Sequence, residues 1–402
     1  MTAAPPGSPS AASALPASSR RRGLIFLGLA SALVGFAMTQ QMALQANYVV
    51  EVMGLSEFQQ GLLETLRESC GIAALGVLAL LAGLAEPLVA AGMLVLLAVG
   101  LGAYTFVPDY AWLIVASLVW SQGVHVWMPL PNSMALALAE PGRAGHRVGQ
   151  VRSAGSVGSG VGLVAALVLH RFVFREGAAT AGQAIRPIYL AAAVAGLLAA
   201  GACLGIPRAL KTPGPRFVFR RKYGLFYLLS FLDGWRKQIF VAFAGYLLVL
   251  RYQTPLETML VLWIAIQAIN WLSAPAVGQL IDRVGERRVL VFYFACLTVF
   301  FVGYAFVQSR HALYVLYVVD SSFFVFAMAL TTYVNRIAPP SEHTPTLSMG
   351  VAFNHVGAVT MPFVGGLLWK WAGYQWAFLI GAAAAAVSVI PALLVPRRDT
   401  DR

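Results

Sequence analysis

Residues 274–288 read APAVGQLIDRVGERR, and a stretch of related make stands 196 positions earlier, where residues 79–92 read ALLAGLAEPLVAAG and Glu86 falls on Asp282. A second echo recurs at an offset of 199. Residues 139–158, AEPGRAGHRVGQVRSAGSVG, lie against residues 338–357, APPSEHTPTLSMGVAFNHVG, so that Pro141 meets Pro340 and Gly158 meets Gly357. Two echoes at nearly one spacing describe an internal duplication. Composition says what was duplicated: 59% of the residues are hydrophobic, 11% are charged, and apolar runs of about 20 residues recur along the chain. Such runs are too long for buried strands and lack the alternation of a barrel, so they are helices that cross a bilayer.

At roughly 20 residues per crossing, hydropathy places helices at 23–47, 57–82, 87–107, 111–136, 149–170 and 187–206 in the first copy. The second copy has them at 223–250, 257–279, 289–307, 312–335, 346–369 and 374–395. The expected fold is an all-α polytopic membrane protein of twelve transmembrane helices in two pseudo-symmetric six-helix bundles, 23–206 and 223–395. A basic linker, 207–222, joins them; a disordered tail rich in Ala, Pro and Ser covers 1–22, and a short tail covers 396–402. Duplicated bundles of this kind are how many secondary transporters expose one site to alternate sides.

Lys and Arg are retained on the cytoplasmic side of short loops. With the amino terminus inside, 18 of the 28 basic residues fall in cytoplasmic segments, 6 fall outside and 4 lie within the spans. Both termini are therefore expected in the cytoplasm, with the chain integral to the cell (inner) membrane as a monomer. The net charge of +12 follows from this asymmetry. Its spread over many loops excludes a nucleic-acid partner. Cys70, Cys203 and Cys296 each sit in an apolar run, and the six histidines show no ligand spacing, so neither a disulfide framework nor a metal site is expected. The absence of a phosphate-cradling loop argues against ATP-driven transport, and no nucleophile–base set points to an enzyme.

The stretch GQLIDRVGERRVL, residues 278–290, resembles the loop signature G-x-L-a-D-R-x-G-R-[KR] of the major facilitator superfamily, and it falls between the second and third helices of the second bundle. The resemblance, which covers roughly residues 23–395, implies a transporter fold, no cofactor, and a cytoplasmic latch at Gly278, Asp282, Arg283, Gly285, Arg287 and Arg288. On physical grounds Gly278 and Gly285 permit a tight turn, Asp282 faces a helix end, and the arginines hold the loop inside. The first copy keeps the acid as Glu86 but has Pro87, Val89, Ala91 and Gly92 at the other positions, so its latch is weak or differently built.

Charges inside the spans carry most of the functional signal, since each costs on the order of 3 kcal/mol at a helix centre. The acids are Glu64, Glu68, Asp233 and Asp320; the bases are Arg67, Arg152, Arg236 and Lys237, and they sum to zero. Glu64, Arg67 and Glu68 share one helix face, so Arg67 reaches Glu64 and one acid is left over. Asp233 precedes Arg236 by three residues and Lys237 by four, leaving one base over. The spare charges either form a bridge that breaks during transport or hold an anionic solute. Asn354 and His355 reach similar depth, and a histidine near a carboxylate suits a proton relay. Arg152, near a helix start, ranks below the others because it can snorkel to the interface. Gln40, Gln41, Gln45 and Asn47 line the first helix, and Ser121, Gln122, His125 and Asn132 the fourth. In the superfamily the first, fourth, seventh and tenth helices wall the cavity, and here all four carry polar groups. The expected function is secondary transport of a small polar or anionic organic solute, driven by a proton gradient across the lipid bilayer. The alternatives are efflux of amphipathic drugs and a non-transporting receptor or sensor on the same fold.

Overall fold

The computed structural model describes residues 15–140, 143–174, 178, 180–212 and 219–397. Pro141, expected to match Pro340, lies outside them. Among the described residues the chain forms twelve helical segments: α1 Ala17–Val52, α2 Glu57–Leu80, α3 Glu86–Ala103, α4 Tyr110–Leu138, α5 Ala144–Phe174 and α6 Ala181–Cys203. They continue as α7 224–250, α8 Leu256–Val284, α9 Glu286–Phe306, α10 Arg310–Ile337, α11 Pro340–Ala372 and α12 Tyr374–Leu393. Ten are long and apolar enough to cross a membrane; the two that fall short, α2 and α7, carry the clustered charges.

Each helix lies close to its expected span, and several run longer. Hydropathy marks the part of a helix that suits lipid, whereas backbone hydrogen bonding continues past it. Thus α1 starts at Ala17, with Arg20 N–H bonded to Pro16 O at 3.0 Å, so the last residues of the expected disordered tail are helical; residues 1–14 lie outside the described set. Three helices contain a wide π turn, at Tyr48–Val52 in α1, Leu169–Phe174 in α5 and Phe240–Ala244 in α7.

Packing divides the chain into two compact units that do not follow the duplication. One unit is 1–42 with 73–215; the other is 43–72 with 216–402. In this packing the end of α1 and most of α2 lie with the carboxyl-terminal helices. Within that second unit Asn47 Nδ2 donates to Thr254 O at 3.0 Å, and Tyr246 Oη donates to Leu55 O at 2.7 Å. A Cβ on Gly61 would strike the Pro362 carbonyl, and one on Gly366 would lie 2.9 Å from Glu57 O, so α2 and α11 touch backbone to backbone. Close approach of this kind is what small residues permit in a membrane, where apolar attraction between helices is weak.

In the first unit, α1 and α5 meet through the glycine run: Gly158 faces Ala32 O, and Thr39 Oγ1 donates to Ser159 O at 3.2 Å. The opposite side of α5 exposes Val157, Val161, Val164 and Val168, an apolar stripe suited to lipid. Ala85 and Lys211 form an antiparallel bridge, so part of the expected linker is pinned beside the α2–α3 turn; residues 213–218 lie outside the described set. In the second unit, a buried core including Tyr227, Ile281, Tyr293, Leu297 and Val334 unites α7, α8, α9 and α10. There Gly234 of α7 stands against the Asn354 carbonyl of α11.

Candidate functional site

The second unit holds two charge networks. On α2, Gln60, Glu64, Arg67 and Glu68 fall along one face at spacings of three and four residues. Arg67 pairs with Glu64 and, at 3.1 Å, with Glu68 Oε1, while Gln60 Nε2 bridges Glu64 Oε1 at 3.4 Å and Ala242 O at 3.0 Å. His355 Nδ1 approaches Glu68 Oε2 at 3.4 Å. The acid expected to be left over on α2 is therefore held by Arg67 and His355. The expected neighbour of a histidine, a carboxylate, is Glu68. Gly71 makes room for the His355 ring, since a Cβ there would overlap it.

On α7, Asp233 and Arg236 pair as their spacing predicts, with Arg236 Nη2 donating to Asp233 Oδ1 at 2.9 Å. Tyr293 of α9 completes the triad: its hydroxyl donates to the same Asp233 oxygen at 3.0 Å and receives a second bond from Arg236. The guanidinium also lies 5.1 Å from the Tyr293 ring centre and 5.0 Å from that of Phe324. Arg236 is 0% exposed and thus sealed to internal partners. The spare base is Lys237, partly buried, its ammonium 6.0 Å from the Phe324 ring centre and paired with no carboxylate among the described residues. Asp320 on α10 is 0% exposed, and neither of its oxygens has a hydrogen-bond partner among the described residues.

Other expected site residues take structural places. Asn354 Nδ2 donates to Ser230 O at 3.1 Å, tying α11 to α7 beside Gly234. In the first unit, Gln40 Nε2 donates to Gly162 O at 3.3 Å, and His125 Nδ1 lies 2.8 Å from Ser121 O, which puts its hydrogen on Nδ1. Gln41 is buried, Gln122 is partly buried, and Arg152 is exposed well inside α5.

The expected latch needs correction at two points. Gly278 lies within α8, because the helix runs on to Val284, and Gly285 alone makes the turn, with φ +81°. Asp282, Arg283 and Arg288 are exposed, and Arg287 is partly so; the buried acid is Glu286, 1% exposed, whose Oε2 meets Arg336 Nε at 3.2 Å. Arg336 also donates to Pro396 O at 2.8 Å, fastening the end of α12 to α9 and α10. In the first unit Glu86 is buried in the opening turn of α3, its N–H bonded to Leu210 O at 2.8 Å.

Two acids outside the spans have shifted proton affinities. Arg147 holds the Glu140 carboxyl down at about 2 through bonds of 2.9 and 2.7 Å. Glu342 lies below its ordinary value because the Tyr223 hydroxyl, at 2.6 Å, and Lys222, at 3.0 Å, donate to it; Arg220 adds a third contact at 3.2 Å. Sequence reading missed Tyr293, Glu286, Arg336 and Glu342. Gln60 was discoverable, standing four residues before Glu64 on the charged face.

Residues 226–402 match the sequence profile of the Major Facilitator Superfamily. No curated protein matches the sequence. Among solved structures, the nucleoside transporter NupG is 14% identical, with a TM-score of 0.74 over 92% of this chain and 98% of that one. A bacterial homologue of the human lysosomal transporter Spinster, in an inward-facing and occupied conformation, is 13% identical, with a TM-score of 0.71 over 94% and 97%. The D-xylose-proton symporter is 14% identical, with a TM-score of 0.72 over 94% and 98%. The carboxyl-terminal helices thus match the Major Facilitator Superfamily in sequence, and nearly the whole chain shares the fold of these solved transporters.

Proposed function

We propose that the chain is a proton-coupled secondary transporter that moves a small polar or anionic organic solute by alternating access. The observation that carries this reading is where the charges lie. In α2 and α7 they stand in mid-helix and are buried against other helices. Ionisable groups at such depth are costly and are kept where a solute or ion passes. An anionic group on the solute meets Lys237, since Arg236 is already committed to Asp233 and Tyr293. Two of the solved relatives are described as carriers of polar solutes, a nucleoside and D-xylose, which suits the same class of cargo.

The protein would act as a monomer in the cell (inner) membrane with both termini in the cytoplasm. A reporter fused after Arg402 is then expected to behave as a cytoplasmic one, and an exported reporter would reject that topology. The functional test uses purified full-length chain in lipid vesicles with an imposed pH gradient, challenged with nucleosides, sugars and organic acids, and with amphipathic cations as the drug-efflux arm. Accumulation of a polar solute that collapses with the gradient is the expected result. Accumulation confined to the amphipathic cations would favour efflux, and ligand-induced thermal stabilisation without movement of any solute would favour a sensor.

A further inference from the structure

Within the first unit, a groove runs between α3 and α4 at the end where the two helices join. Its volume is about 330 Å³, at the lower end of the range that ligand pockets span, and no charged side chain lines it. Small residues make its floor. A Cβ on Gly100 would strike the Trp120 nitrogen and lie 2.7 Å from Ala116 O, so the two backbones touch there, while Ala103 and Ala116 leave the space above them open. The walls are larger side chains, Val99 and Phe106 on one side and Trp112 and Val115 on the other, and all four are exposed. Both helices are long and apolar enough to cross a membrane, so an exposed furrow of this make is filled by a lipid chain. Trp112, in the first turn of α4, marks the level of the headgroups.

One cation stands at the turn end of the groove. Arg186 of α6 donates from Nη2 to the carbonyl of Val107, a lining residue, at 3.0 Å, and its own carbonyl accepts from Thr105 Oγ1 at 3.3 Å. These two bonds hold it to the α3–α4 turn. No carboxylate pairs with it among the described residues, and its Nε is buried without an acceptor. The acid of the turn, Asp109, is engaged as the N-cap of α4, where it accepts from Trp112 N at 3.1 Å.

We propose that this groove binds one bilayer phospholipid, with an acyl chain lying between α3 and α4 and the headgroup phosphate taken by Arg186. Phosphate oxygens supply the acceptors that the guanidinium lacks, and its planar set of donors suits them. The groove alone would accept any apolar chain; Arg186 selects a lipid that carries phosphate. The site uses none of the residues on which the transport reading rests, so the two stand or fall separately.

Native mass spectrometry of the full-length chain, released from micelles doped with phosphatidylglycerol, reads retained lipid directly. Wild type is expected to keep one phosphatidylglycerol under activation that strips the rest, and to keep much less diacylglycerol of the same chains. Arg186→Gln should lower phosphatidylglycerol retention about tenfold, the worth of one charge-assisted hydrogen bond. Ala103→Phe, which fills the groove and leaves Arg186 in place, should also abolish retention, and it keeps the test decisive if Arg186→Gln does not fold. Equal retention of diacylglycerol, or wild-type retention in either folded variant, would overturn the proposal. Retention seen only in dimers would overturn it too, by assigning the groove to a second copy of the chain.

Discussion

Replacing Arg236 by Gln tests the buried triad most directly. The side chain is 0% exposed and gives Nη2 to Asp233 and to Tyr293, with two ring faces within 5.1 Å of its carbon centre. A hydrogen bond to a charged acceptor is worth about 1.5–3 kcal/mol, and each ring contact adds about 0.5–1 kcal/mol. The sum agrees with the roughly 3–5 kcal/mol typical of removing one member of a buried pair. Arg236→Gln should therefore shift the unfolding equilibrium of the detergent-solubilised protein by about a hundredfold to a few thousandfold. Asp233→Asn added to it should recover most of the loss, because the partner left charged is then neutral too. The assay is reversible unfolding in mixed micelles, followed by tryptophan fluorescence. A single variant within about 1 kcal/mol of wild type would refute the energetic account of the triad. If the double variant recovered nothing, the charge left on Asp233 would not be the source of the loss.

Three smaller predictions accompany it. Gly234→Val should sharply lower the yield of folded protein, since its Cβ strikes the Asn354 carbonyl, whereas Asn354→Ala should cost only about 0.6 kcal/mol, the usual worth of a hydrogen bond between membrane helices; both are read by size-exclusion profile and melting temperature. Glu286→Gln, which strips the charge from a buried partner of Arg336, should lower the melting temperature more than Asp282→Asn on the exposed side of the same turn, and equal effects would remove Glu286 from its anchoring role. Glu342 sits below its ordinary value of 4.5, so its stabilisation is complete above that value and is lost as pH falls through the folded one. Acidification should then depress the melting temperature of wild type more than that of Glu342→Gln, and parallel curves would discard the clamp.

Ten of the twelve helices were legible as crossings because bilayer thickness imposes one length on an apolar run. Asp233 and Arg236 were legible as a pair because both lie on one helix at fixed spacing. Tyr293 was not, since it reaches the pair from α9, and a tyrosine among apolar residues reads as packing. The packing of residues 43–72 with the carboxyl-terminal helices was not legible for a related reason. Their glycines mark close packing, but a glycine does not say which helix comes close. Likewise Glu286 and Arg336 are ordinary helix-end charges in sequence, and become a pair only when α9 and α10 meet.

The π turn at Phe240–Ala244 follows Arg236 and Lys237 by one turn. A wide turn winds less per residue than the roughly 100° of an α-helix, so five such residues fall behind by about one position. The face that Asp233 and Arg236 share is accordingly continued, beyond Ala244, by residues numbered one later than a regular helical wheel assigns. Helical wheels drawn through α7 must be re-phased at this point. A one-residue deletion between 240 and 244 would shorten the helix while keeping both ends facing their present neighbours, and the same deletion at 234 or 235 would turn Asp233 and Tyr246 out of step.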